Sequence, residues 1–290
     1  YKREPLQQEY KQYNMLKLMY ITKRPEIARI AEEAGVEWIF VDMEFIGKDC
    51  RQGGLDTVQN HHTVEDIANI KAVVKKAKVL VRVNPIHDRL ANYPSSEDEI
   101  EAVIKAGADI VMLPFFKTVA EVERFVGIVA GKAKVCLLVE TPEAAEKLEQ
   151  IVKVPGIDMI HLGLNDMHLA LKMKFMFQLL ADGSVDKWTD IIGRKGIIYG
   201  FGGLASLDGG AVPGRMILKE HYRVGSQMVI VSRAFCNTDK MTDIDQVCKI
   251  FTQGIAAIRQ LESQMATMTN EDFENNHKAV CDAVEVIVNR

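Results

Sequence analysis

The sequence contains no apolar run approaching the roughly 18 to 20 residues that cross a bilayer, and its first residues, YKREPLQQEYKQYN, lack the apolar core of a secretion signal. A membrane span and a secretory route are therefore not expected, and the protein is expected to be soluble and cytoplasmic. Cysteine is sparse. Cys50, Cys136, Cys236, Cys248 and Cys281 are far apart, odd in number and without a Cys-x-x-Cys pair, which excludes a disulfide framework or zinc knuckle and leaves reduced thiols. There is also no dense basic stripe: 36 basic and 40 acidic residues give a net charge of -4, a poor match to a phosphate backbone. A glycine-rich phosphate turn is missing after the first apolar run, where Thr22-Lys23-Arg24-Pro25 stands instead. Its absence argues against a doubly wound nucleotide-binding sheet.

What the chain does have is 290 residues, 48% of them hydrophobic, enough for one barrel-sized core. Eight short apolar runs recur, at 17–21, 38–42, 79–83, 110–114, 135–140, 159–163, 197–201 and 228–232. A turn signal and a stretch of helical spacing follow each, the alternation of a parallel sheet whose strands are buried on both faces. Thr118 with Glu121 and Thr63 with Asp66 read as capping boxes, Thr141-Pro142 as a cap and first-turn proline, and Gly35 and Gly107 as helix stops. Eight repeats with short links predict a closed (β/α)8 TIM barrel over about 15–262, in a single domain covering 1–290.

Two segments exceed the minimal barrel. One is a polar insertion at 47–62 after the second strand. The other is a C-terminal helical extension, 270–290, with apolar positions Val280, Ala283, Val284 and Ile287. Such a helix needs a surface to cover it, and packing on a neighbouring subunit of a homo-oligomer is expected ahead of closure of its own barrel's base.

Chemistry in a barrel gathers at the C-terminal ends of the strands. Asp42 and Glu44 follow the second run, Arg82 lies in the third, Glu140 ends the fifth in CLLVETP, and Asp166 follows the sixth in HLGLNDMH. Glu140 and Asp166 come from adjacent strands, and converging carboxylates call for a cation or a shared proton. A hard ion such as Mg²⁺ or Mn²⁺, keeping open positions for water or substrate oxygens, is the simpler answer. Either acid could instead cap the helix after it, although Thr141 already takes that place after Glu140. Arg82, in VLVRVNP, needs an anion: Asp42, Glu44 or a substrate oxygen.

With Arg82, the Glu140-Thr141 turn, Pro155-Gly156-Ile157-Asp158 and Gly163-Leu164-Asn165-Asp166 in view, the chain resembles the hydroxy-oxo-heptanedioate aldolase and citrate lyase β family. That family, the class II pyruvate aldolases, belongs to the phosphoenolpyruvate mutase and isocitrate lyase superfamily. The likeness runs over roughly 15–260 and includes Gly107-Ala108-Asp109 and Met112-Leu113-Pro114; the two acids stand 26 positions apart, like the family's metal pair. The resemblance implies that Glu140 and Asp166 bind Mg²⁺, Mn²⁺ or Co²⁺ and that Arg82 faces the keto oxygen of pyruvate. It further implies that backbone amides of Leu164, Asn165 and Asp166 hold the substrate carboxylate. The implied reaction is cleavage or formation of a 4-hydroxy-2-oxo acid through a pyruvate enolate, with an aldehyde as the other partner.

Two departures bear on that chemistry. The family's second strand ends in an acid followed by a histidine that moves the proton, whereas here Glu44 is followed by Phe45, and Leu138 replaces the glutamine two places before the metal glutamate. Phenylalanine cannot transfer a proton. The insertion offers Arg51, Asp56, His61 and His62, of which the two histidines are the expected base, with Glu44 as the alternative. They could equally sit at an exposed loop end next to the helix from Thr63. His87 is a weaker candidate, His161 reads as a core histidine, and His168 as a packing or capping residue. The stretch GFGGLASLDGGAVPGR could present amides to an anion or act as a lid, and the methionines of LALKMKFMFQLL read as core or subunit contact. Two other functions compete: an acyl-CoA-type lyase of the citrate lyase β branch, and a non-catalytic 2-oxo acid binder that has lost its base.

Overall fold

Each predicted apolar run is a strand in the computed structural model, which describes residues 15–47 and 62–290. The strands are β1 (Lys17–Ile21), β2 (Trp38–Asp42), β3 (Lys78–Arg82), β4 (Ile110–Leu113), β5 (Lys134–Val139), β6 (Met159–Leu162), β7 (Ile198–Leu204) and β8 (Met228–Val231). They pair in parallel in sequence order, and β8 returns to β1 to close a (β/α)8 barrel. The alternation of each strand divides the core in two. Met19, Trp38, Phe40, Leu80, Ile110, Met112, Cys136, Leu138, Met159 and Met228 fill the barrel, while their sequence neighbours pack against the helical shell.

The shell begins with α1 (Pro25–Ala34), α2 (Val64–Val73), α3 (Ser96–Lys105) and α4 (Val119–Val129). Thr63 and Thr118 close both halves of their capping boxes, satisfying amides that the first turn of a helix leaves without partners. Thr141 caps α5 (Pro142–Glu146), which leads into α6 (Leu148–Ile151). Gly35 and Gly107 take left-handed backbone, with φ of 104° and 111°, where their helices stop. After β6 come α7 (Leu164–Ala170), α8 (Gln178–Ala181) and α9 (Ser184–Gly193), and after β7 and β8 come α10 (Gly214–Val224) and α11 (Ile244–Met265). Met173 and Met176, of the LALKMKFMFQLL stretch, lie in the turn between α7 and α8 and pack on the core.

Part of the glycine-rich stretch is not loop. β7 runs on to Leu204, through a register shift against β8 between Gly200 and Gly203, with Gly202 at φ 51°. A Cβ on Gly200 would meet the Met228 carbonyl oxygen at 1.9 Å, so the strands approach too closely there for any side chain.

The terminal helix α12 (Asn270–Val288) has a seat on its own chain. Its Val280 and Val284 face is buried against α10 and α8. Polar contacts fix this seat: Asn276 Nδ2 donates to Met216 O (3.1 Å) and Glu220 Oε1 (2.8 Å), and His277 Nδ1 lies 2.9 Å from Glu220 Oε2. Among the described residues, no helix is long and apolar enough to cross a membrane.

Candidate active site

Parallel strand ends place Asp42, Arg82, Glu140 and Asp166 around one mouth of the barrel. Arg82, in β3, is paired in register with Asp42 of β2, so a side chain that points inward meets an acid pointing the same way. The guanidinium grips Asp42 with both prongs, Nε to Oδ1 and Nη2 to Oδ2, each at 2.7 Å. Nη1 lies 3.3 Å from Glu44 Oε2. Both carboxylates are fully buried, while the arginine keeps 14% of its side-chain surface exposed. Burial alone would disfavour its charge, but the pull of Asp42 and then Glu44 overrides this and raises its pKa well above the ordinary value. Arg82 is thus a fixed, permanently charged fork at the mouth, and its structural partners are Asp42 and Glu44.

Glu140 lies just past the end of β5 and is almost fully buried. Its Oε1 accepts the Phe115 amide at 3.1 Å, and Phe115 supplies that amide from left-handed backbone, φ 49°. A non-glycine residue held there costs on the order of 1 kcal/mol or more, and such strain concentrates at functional sites. On its other side Glu140 lies against Gly163, the residue that opens α7. A Cβ on Gly163 would stand 2.7 Å from Glu140 Cβ and 2.9 Å from Oε2. Gly163 therefore lets the Glu140 carboxylate rest against the turn that carries Asp166, itself buried in the first turn of α7. Leu164, Asn165 and Asp166 provide that turn's amides, for which the helix has no preceding carbonyls.

The two acids suit a hard divalent cation in donor type and in origin, since each ends a neighbouring strand and the glycine cradle brings the turns together. Among the described residues no three or more His, Cys, Asp or Glu side chains gather in a closed metal cage. An ion held by this pair would complete its shell with water or substrate oxygens.

The proton-transfer candidates fare differently. His61 lies outside the described residues, as do Arg51 and Asp56. His62 Nδ1 accepts the Asp42 backbone amide at 2.9 Å, which puts the proton of the neutral ring on Nε2 and leaves no second lone pair. Burial lowers its pKa, against a partial rise from Asp42 and Asp66. Phe45 packs edge-on to Tyr93, 4.8 Å between centroids, and its amide and that of Ile46 each donate to Asn84 Oδ1 at 2.9 Å. Asn84 is held in turn by Glu99 (2.8 Å), so position 45 is built into a rigid aromatic corner. His87 is seated in the loop after β3, its Nδ1 2.7 Å from Pro85 O and 3.1 Å from Ser96 Oγ and its Nε2 3.0 Å from Pro94 O. His168 Nδ1 sits 3.3 Å from Leu164 O, as a packing residue of α7.

His161 was read only as a core histidine. It points into the barrel between Met159 below and the Gly163 turn above, and it is 1% exposed. The apolar alternation of β6 was the signal: a polar residue at an inward position of a strand that ends at the site.

Comparison with known proteins gives the chain a family. A family model described as HpcH/HpaI aldolase/citrate lyase matches residues 17–176, more than half of the chain. No curated protein matches the chain by sequence at a significant level. Among solved structures, an HpcH/HpaI aldolase from Desulfitobacterium hafniense DCB-2 superposes with a TM-score of 0.55 at 16% identity, over 85% of this chain and 93% of that one. An HpcH/HpaI aldolase/citrate lyase family protein from Burkholderia cenocepacia J2315 gives 0.59 at 15% identity, over 85% and 95%. The citrate synthase SbnG gives 0.56 at 16% identity, over 86% and 94%. At such identities the structures speak for the shared barrel alone. The sequence model goes further, covering strands β1 to β6 together with Arg82, Glu140 and Asp166, and by it the chain belongs to the HpcH/HpaI aldolase/citrate lyase family.

Proposed function

We propose that this protein is a divalent metal-dependent carbon-carbon lyase of the pyruvate aldolase type, which cleaves or forms a 4-hydroxy-2-oxo acid. The observation that carries this reading is the glycine cradle: Gly163 admits the Glu140 carboxylate to the turn bearing Asp166, while Arg82 is clamped at the same mouth. Glu140 and Asp166 would hold Mg²⁺, Mn²⁺ or Co²⁺, which when bound supplies a Lewis acid for a keto oxygen. Arg82 offers guanidinium protons to that oxygen as negative charge develops on it. Because Asp42 and Glu44 fix the fork beforehand, little reorganisation is needed when the charge appears. The amides of residues 164–166 receive the substrate carboxylate. Proton removal from the 4-hydroxyl falls to Glu44 or to His61, because the His62 lone pair is committed to the Asp42 amide.

Exchange of the methyl protons of pyruvate with deuterated solvent, followed by proton NMR with and without Mn²⁺, tests the reading. Metal-dependent exchange is expected, and Glu140→Gln should abolish both the exchange and the binding of Mn²⁺ measured by its paramagnetic resonance. Pyruvate binding without any exchange would identify a non-catalytic binder and overturn the proposal.

A further inference from the structure

His161 carries a lone pair that the fold leaves unused at the floor of the site. Its Nε2 lies 3.0 Å from Gly202 O. A carbonyl can only accept, so the ring proton is on Nε2 and Nδ1 is the acceptor. Nδ1 is buried and has no hydrogen-bond partner among the described residues. An acceptor buried in that way ordinarily costs folding free energy unless something supplies a donor.

The surroundings point to a purpose. The inward alternation of β6 puts the ring inside the barrel, beside Leu138 of β5 and Gly200 of β7 in register. Arg82 is close enough for its charge to act on the ring. The chain continues from His161 through Gly163, which touches Glu140, to Asp166. The Gly202 carbonyl itself comes from the bulged part of β7, where Gly202 has φ 51°. A bulge of this kind re-aims a backbone group, and bulges are over-represented beside active sites. Burial, together with the charge of Arg82 and against the Gly202 bond, lowers the imidazole pKa to about 4. The ring therefore stays neutral near neutral pH and keeps its acceptor.

We infer that His161 is a specificity-determining residue whose Nδ1 accepts a hydrogen bond from the hydroxyl group of the substrate. This rests on the proposed function, since it takes the ligand to be a hydroxylated 2-oxo acid seated over Arg82. Arg82, an obligate donor, reads the oxo end, and His161, an obligate acceptor in this tautomer, reads the hydroxyl in the bound ground state, where its single proton points to Nδ1; for cleavage the O–H turns from His161 to the base. Neither group can substitute for the other.

The test uses the full-length protein with Mg²⁺ and two ligands that cannot be cleaved because the oxo group is reduced, 2,4-dihydroxypentanoate and 2-hydroxypentanoate. Calorimetry should show that the wild-type protein prefers the 4-hydroxylated ligand by about 10-fold or more, as one buried hydrogen bond provides. That ratio should fall to near one in His161→Phe and recover in part in His161→Asn, whose amide can place an acceptor near Nδ1. An unchanged ratio in a folded His161→Phe protein overturns the inference. If the variants do not fold, ¹⁵N resonances of the histidine rings in the wild-type protein decide. The unprotonated Nδ1 of His161 should shift when the 4-hydroxylated ligand is added and not with its deoxy counterpart, and equal responses to both overturn the inference. Failure of the proposed function looks different: the wild-type protein would show no metal-dependent pyruvate exchange, whatever the ligand ratio.

Discussion

Arg82 illustrates how one residue can be both costly and useful. A guanidinium in a barrel must be compensated, and Asp42 does so with two parallel bonds of 2.7 Å, a geometry that matches the flat fork of arginine and no other side chain. Arg82→Lys keeps the charge but cannot fill both Asp42 oxygens while facing a ligand. The expected outcome is a drop of roughly 10² to 10³ in the rate of pyruvate exchange, the size associated with losing one preorganised donor. Circular dichroism should report an intact barrel. An exchange rate within a factor of three of wild type would reduce Arg82 to an ion pair that merely holds β2 to β3. The sequence exposed Arg82 because a charge interrupts VLVRVNP, and it offered Asp42 and Glu44 as partners. It could not decide between them and a substrate oxygen, because that depends on the register of two strands separated by the 47–62 insertion. His161 escaped a functional reading for the opposite reason. An inward histidine looks the same in sequence whether or not both its nitrogens are satisfied.

At the scale of elements, the caps and stops were legible because their causes are local: a threonine and an acid three residues on, or a glycine at a helix end, act within one turn. β7 was legible only to residue 201. Its glycines suggested a loop, and it is the close approach of β8, with Met228 O where a Cβ would go, that makes glycine the residue of this strand. The same reasoning gives Gly163 a function beyond flexibility. Gly163→Ala would force its new Cβ onto Glu140 Cβ and Oε2, and backbone on one side with the Phe115 amide on the other leaves the carboxylate little room to yield. The Gly163 φ of -83° is open to alanine, so the change strains the site and not the turn. We expect Mn²⁺ affinity to fall at least 10-fold, the order seen when groups that orient metal ligands are disturbed, with only a small loss of stability. Wild-type affinity in a folded Gly163→Ala protein would separate Glu140 from metal binding.

The whole molecule is held by contacts distant in sequence, and these were the least legible. The apolar face of α12 was visible in the sequence, but what covers it was not, because amphipathicity states that a partner exists and never which one. In the structure Glu220 of α10, fully buried, gathers Asn276 and His277 from α12 and Arg223, which reaches on to Asp186 of α9. Removing Glu220 leaves a largely buried guanidinium with one partner fewer. Glu220→Ala should cost about 3 to 5 kcal/mol, a fall on the order of 10 °C in melting temperature. Because the contacts lie within one chain, that loss should not depend on protein concentration. A loss on Glu220→Ala that changes with protein concentration would place α12 on another subunit after all.

Acid sensitivity follows from the buried histidines. His161 is lowered to about 4, and His221 is pushed well below the ordinary value by burial and then by the neighbouring His161. His221 is fully buried, stacks on Phe201 at 3.8 Å and 6°, and has its Nδ1 2.8 Å from Ser226 Oγ. Each ring is more easily protonated in the unfolded chain, where its pKa is about 6.5, than in the folded one. The stability these residues contribute is therefore complete above about pH 6.5 and is lost progressively as the pH falls through the interval down to about 4. For His161 alone the difference corresponds to roughly 3 kcal/mol by pH 4, and His221 adds to it in the same direction. Urea unfolding at pH 7.5 and at pH 5 should show a clear drop in stability at the lower pH. The drop should be smaller in His221→Phe, which keeps an aromatic ring against Phe201 but cannot take up a proton. If that variant loses as much stability between the two pH values as the wild-type protein does, protonation of His221 is not among the causes of acid unfolding, and the carboxylates of the ion pairs become the groups that set it.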